Sequence, residues 1–177
     1  MWFLAWAATQ GLFISEILTR LPWEINSSYT VVTIWVLIVT VTCFILMPSF
    51  RKESLPKSRL LWLYSIPVAL LFLLPQHYRL TLNLWVYMFM ILVTVFWQDY
   101  LTFGVLQSVL SKRVSSNKAA TLTAVVFILG HIIFVLNNVF DPQMLLVVIA
   151  GLVFAFSRRY SGSIYIANII HTIFYLM

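Results

Sequence analysis

Three ionisable side chains lie deep within apolar runs of this sequence: Asp99, His131 and His171. A carboxylate and an imidazole within hydrogen-bond reach can take a proton from water, and a second imidazole can steady the oxyanion or protonate a leaving amine. The same Asp and two His could instead hold a divalent metal such as zinc with an open coordination position. A third reading is architectural: the groups hydrogen-bond between helices and only set packing. Their depths favour a shared site. Asp99 lies 12 residues before Ser111, which borders Lys112; His131 lies 13 residues after Lys118; His171 lies 12 residues after Arg159. At ~1.5 Å per helical residue, all three stand ~18–20 Å from a basic residue. In a bilayer that is one level near the middle, where ionisable groups are costly and face protein or water.

The elements that must bring them there are membrane helices. Of the 177 residues, 62% are hydrophobic and 9% charged, and mean hydropathy is +0.98. An ordinary soluble domain is about a quarter charged, so this chain cannot cover a water-facing surface of its own size. A soluble enzyme, a disordered protein and a nucleic-acid-binding protein are excluded, despite a net charge of +6. At ~20 residues per spanning helix, seven spans use ~140 residues. The expected fold is all-α: one integral membrane domain over 1–177, a polytopic bundle of about seven transmembrane helices with no extramembrane domain. No basic region or cleavage site flags a signal peptide at the N-terminus. Cys43 is the single cysteine, which rules out an internal disulfide or a thiolate metal cluster.

The expected spans are 1–19, interrupted by Gln10 and Glu16; 29–48, ending at Pro48; 59–74, ending at Pro75; 81–110; 118–137; 143–157; and 163–177. The fourth is too long for the hydrocarbon core, so it must tilt, project or bend, with Gly104 as the bend point. Nine of the eleven basic residues (Arg51, Lys52, Lys57, Arg59, Lys112, Arg113, Lys118, Arg158 and Arg159) fall on alternate connections, leaving Arg20 and Arg79 for the other side. The positive-inside rule then places the N-terminus in the cytoplasm and the C-terminus outside. Attraction to anionic lipid is a secondary consequence of the same charge.

Neighbouring residues add detail. Asn168 and Tyr175 flank His171 at i−3 and i+4, on one helix face, and either can orient the imidazole or donate to an oxyanion. Gly104 and Gly130 suit close helix approach. His77 reads as a solvated loop residue.

In these segments the sequence resembles the CAAX-protease and bacteriocin-processing (CPBP, or Abi) family of intramembrane proteases. Residues 98–107, opening Gln98-Asp99-Tyr100-Leu101-Thr102-Phe103, are similar to that family's Glu-Glu-x-x-x-Arg region. Phe127-Ile128-Leu129-Gly130-His131 fits its Phe-x-x-x-His motif, and Gly162 to His171 its final motif, a small-residue helix start leading to His and then Asn four residues on. The resemblance covers residues 83–177. It implies a helical membrane fold that cleaves peptides at or in the bilayer, with the first Glu and the second-motif His activating water and the last His and Asn binding the oxyanion. Carried over, the first Glu falls on Gln98, the second on Asp99, and the two His on His131 and His171. The motif Arg falls on Phe103 and the final Asn on Tyr175.

Three explanations of these departures stay open. Asp99 has taken over as base, or Gln98 marks a loss of turnover, or Gln98 donates a hydrogen bond in altered chemistry. Adjacent helix positions point ~100° apart, so Gln98 and Asp99 cannot both face His131 equally well. The expected function is an intramembrane endopeptidase in which Asp99 and His131 activate water and His171 stabilises the oxyanion. The alternatives are a pseudoprotease serving as a peptide-binding, immunity or scaffold protein, and a small proton-linked transporter. The expected partners are membrane lipid and a peptide or protein substrate reaching the bilayer, with no nucleic acid. The expected setting is a bacterial or archaeal plasma membrane.

Overall fold

The computed structural model describes residues 2–14, 20, 22–135 and 143–177. Among these no strand forms, and the all-α membrane bundle expected from composition is the fold that results. The chain begins with two short helices, α1 (Trp2–Ala7) and α2 (Gln10–Ile14). The single helix expected over 1–19 is therefore broken, and the break has a cause. Thr9 turns its hydroxyl onto the Ala5 carbonyl (2.6 Å) and accepts the Trp97 indole N–H (2.8 Å), while Gln10 Nε2 donates to the Thr94 carbonyl (2.7 Å). The polar residues of this segment are used to dock it on a neighbour. The remainder of that expected span, 15–19 with Glu16, lies outside the described residues, as does the end of the fifth, 136–137.

Helix α3 (Ile25–Leu46) is rich in Val, Ile and Thr, and its Thr30, Thr33 and Thr40 hydroxyls bond back to carbonyls one turn earlier. A short α4 (Pro48–Ser54) follows, with Pro48 at its first position, where a missing N–H costs nothing. Next comes a 3₁₀ turn, Arg59–Tyr64, then α5 (Ser65–His77). Pro67 sits in the first turn of α5, where it cannot donate to the preceding turn. Pro75 does not end the helix as expected. Two further residues are held, because the Tyr78 N–H reaches the Leu74 carbonyl (3.0 Å) and His77 Nε2 bonds the Leu176 carbonyl (3.0 Å). His77 is thus exposed but engaged.

The fourth expected span runs as one unbroken rod. It comprises α6 (Leu84–Asp99), a π-helical stretch Tyr100–Leu106, and α7 (Gln107–Ser111). Gly104 lies within this wider π winding, a feature frequent at functional sites. Gly104 serves close approach: a Cβ there would stand 2.8 Å from Ser54 Oγ on α4. Trp2 clamps the π stretch through its indole N–H to the Leu101 carbonyl (2.9 Å). This rod is the centre of the bundle. Some 67% of its apolar window is buried, against 11–22% for the other three helices long and apolar enough to span (Ile25–Leu46, Arg59–His77, Met144–Ser161).

Helices α8 (Ser116–Val135) and α9 (Gln143–Ser161) pack on each other, and Gly162, at φ +71°, turns the chain out of α9 into α10 (Tyr165–Leu176). The left-handed φ is why glycine stands there. With 12 residues, α10 rises ~18 Å, short of the ~30 Å core. It is cradled by α5, α6 and α9, and its last carbonyls, Tyr175 and Leu176, accept from Tyr87 and His77. Those side chains serve the helix end where lipid offers no partner.

Cross-links fix the alternation of ends. At one end Lys112 pairs with Glu53 (3.1 Å), Arg158 donates to Ser108 (3.3 Å), the Ile164 N–H donates to the Ser54 carbonyl (3.2 Å) and Tyr165 donates to the Pro56 carbonyl (2.7 Å). At the other, the Asn83 N–H donates to Asn26 Oδ1 (2.7 Å) and His77 meets Leu176. The three basic connections gather at the first end.

Candidate functional site

Asp99 is the last residue before the central helix widens, and it has no exposed surface. It points at α10. Its Oδ1 lies 2.9 Å from His171 Nδ1, and its Oδ2 accepts from Asn168 Nδ2 at 2.8 Å. Asn168 in turn accepts the Tyr64 hydroxyl on Oδ1, also at 2.8 Å. The spacing of Asn168 and His171, one turn apart, lets one carboxylate bind both. The chain Tyr64–Asn168–Asp99–His171 crosses three elements without a gap.

His131 comes from α8. Its Nδ1 lies 2.8 Å from the Phe127 carbonyl. A carbonyl only accepts, so Nδ1 carries the proton. The same holds for His171 against a carboxylate whose two oxygens both accept. In the neutral rings the lone pair is therefore on Nε2 in each case, which makes both imidazoles available as bases.

Both imidazoles line one cavity of about 390 Å³, together with Phe127, Leu146, Val147, Ala150, Phe154, Phe174 and Tyr175. Phe154 stacks on His171 (centroids 4.7 Å apart), and Phe127 stands against His131 (4.3 Å) and His171 (6.2 Å). The polar content of the wall is the two His and Tyr175, whose ring lies 5.5 Å from His171. Leu146, Phe174 and Tyr175 are exposed on the bundle surface, so the cavity opens sideways between α9 and α10. An apolar cavity with a few converging polar groups is the usual form of a binding site.

The residues singled out by sequence are thus brought together unequally. Asp99, His171 and Asn168 form one hydrogen-bonded unit, with His131 and Tyr175 sharing the cavity. Gln98 is buried but not among the side chains lining that cavity, and its Nε2 has no hydrogen-bond partner among the described residues. Phe103 packs on Phe127 and Phe154 (5.4 and 5.7 Å) in an aromatic cluster beside the site. Among the described residues no group of three His, Cys, Asp or Glu converges to hold a metal ion. Sequence reasoning missed Tyr64 and the α9 wall. Tyr64 lies outside every motif and 104 residues from its partner, and the wall residues are plain aliphatics and Phe.

Fold and site together define a polytopic helical membrane protein with a carboxylate-anchored imidazole and a second imidazole at a cavity that opens at the bundle surface. Residues 79–177 match the family described as type II CAAX prenyl endopeptidase Rce1-like. The match takes in more than half of the chain, and the protein belongs to that family, whose general activity is CAAX-type intramembrane endopeptidase. No curated protein and no solved structure matches it.

Proposed function

We propose that this chain is an intramembrane endopeptidase in which His171, backed by Asp99, activates water in the cavity it shares with His131. The observation behind this reading is the 2.9 Å Asp99–His171 contact behind a cavity that His171 lines and that opens at the bundle surface. The logic is that of any carboxylate–imidazole pair: the carboxylate fixes the tautomer and stabilises the imidazolium that forms. Water held between the rings gives a proton to His171 Nε2 as its oxygen attacks the scissile carbonyl carbon. The tetrahedral adduct collapses, the C–N bond breaks, and His171 Nε2–H returns the proton to the leaving amine. His131 Nε2 can accept a hydrogen bond from the water, and the Tyr175 hydroxyl can donate to the developing oxyanion.

Asp99 therefore acts through His171 rather than as the base itself, since it has no exposed surface and is not among the side chains lining the cavity. The apolar wall supports a substrate that presents an extended, hydrophobic segment from the lipid side. A prenylated CAAX tail and a bacterial leader or sorting peptide both fit that description. The basic end supports a cytoplasmic N-terminus.

One observation favours a second reading, a pseudoprotease that binds peptides without cutting. Gln98 and Phe103 replace the resembling family's Glu and Arg with a buried amide and a packed aromatic ring. Reconstituted protein, incubated with prenylated and unprenylated membrane peptides and read by mass spectrometry, separates the two. New termini that vanish in His171→Gln support the peptidase; binding without cleavage in both proteins supports the alternative.

A further inference from the structure

A second pocket lies at the end of the bundle that carries the basic connections. It holds about 160 Å³ and is lined by Glu53, Gln107, Ser108, Ser111, Ser116 and the Arg158–Arg159 pair. We infer that it binds a phosphate-bearing headgroup that also carries a hydroxyl, and that it is independent of the peptidase reading.

The donors come first. Arg158 spends Nη2 on Ser108 (3.3 Å), and its Nε–H has no partner among the described residues although the atom is buried. A guanidinium presents a planar fork matched to phosphate oxygens. Arg159 lies 4.5 Å over the Tyr160 ring and 5.9 Å over Phe156. Ser116 opens α8, whose first turn carries no acidic residue. The unpaired N–H groups there add to an anion's favour.

The acceptors select among anions. Gln107 is 3% exposed, donates its amide to the Ala155 carbonyl (2.8 Å), and leaves Oε1 without a partner among the described residues. Glu53 is paired with Lys112 on one oxygen. Counting Arg158 and Arg159 against Glu53, the pocket is net positive, yet it offers acceptors for a ligand hydroxyl. Basic pockets between helices at this depth suit lipid headgroups. Arg158 lies one turn beyond Phe154 on α9, so an occupied pocket braces the helix that walls the cavity.

The test uses the full chain in uncharged detergent, titrated with phosphatidylglycerol, phosphatidylcholine or inorganic phosphate, with adducts counted by native mass spectrometry. Phosphatidylglycerol should be retained over phosphatidylcholine. Arg158→Gln should cut that retention about tenfold, while Arg113→Gln, an exposed basic residue outside the pocket, leaves it unchanged. Should Arg158→Gln fail to fold, Arg159→Gln serves as the second variant. Saturation by inorganic phosphate alone, lost in Arg158→Gln, would keep the phosphate site and assign it to a soluble ligand. Equal retention of both lipids, or equal loss in Arg113→Gln, overturns the inference.

Discussion

Asp99 and His171, 72 residues apart in the chain, meet at 2.9 Å through Oδ1 and Nδ1. The contact joins the central helix, where its winding widens, to a 12-residue helix cradled by α5, α6 and α9. Asn168 takes the second carboxylate oxygen and Tyr64 takes Asn168. The carboxylate is therefore an anchor, and the imidazoles are the groups that face the cavity.

The anchoring predicts a role for Tyr64 at a distance. Tyr64→Phe removes the donor to Asn168 Oδ1 and leaves a buried acceptor unpaired, a loss of about 1–3 kcal/mol. We expect a lower Tm and a kcat reduced roughly tenfold with KM nearly unchanged, read from peptide cleavage in proteoliposomes. Tyr64→Trp, which keeps bulk but moves the donor, should not restore the rate.

Gln98 gives a sharper contrast. If the cavity imidazoles do the work, Gln98→Glu places a carboxylate where no cation pairs with it. It should destabilise the fold by about 3 kcal/mol without raising turnover. A large gain in cleavage rate would instead assign the base to position 98.

Gly104 reports on the π stretch. Gly104→Ala drives a Cβ to 2.8 Å from Ser54 Oγ and 3.1 Å from its Cβ, an overpacking cost of about 1–3 kcal/mol. Ser54→Gly should recover most of that loss in the double variant, measured by thermal unfolding in detergent. Additive losses would mean the two residues do not touch.

Much of this was legible before any coordinates. Scarce charge marked the membrane, and the clustering of basic residues at alternate connections gave a ruler that put Asp99, His131 and His171 at one level. The ruler rests on basic residues staying at the interface, which makes helix depth readable from residue counts. Asn168 and Tyr175 followed from helical spacing around His171. Facing was less accessible. Nothing in the sequence says that Asp99 turns to α10, because rotation of a buried helix is set by packing. Tyr64 lay out of reach for the same reason. Thr9 and Gln10 looked like flaws in a membrane helix, yet each finds its partner on the central helix, which a local pattern cannot show. Pro75 looked like a stop because its tertiary support comes from Leu176, 99 residues after His77.

The wall of the cavity offers a fourth check. Ala150 lines it from α9, and Ala150→Phe fills space the substrate would use. Cleavage of bulky apolar peptides should fall at least about tenfold through KM, with Tm held within a few degrees. Unchanged KM would place the substrate elsewhere.

The most direct measurement compares cleavage by the natural chain and by Asp99→Asn in proteoliposomes, with Tm recorded for both. An amide can still bond His171, but it can donate to Nδ1 and hold the wrong tautomer, and it cannot stabilise an imidazolium. The rate should fall on the order of 10²–10⁴-fold while the fold survives. A stable Asp99→Asn protein that cleaves at the natural rate would contradict the account.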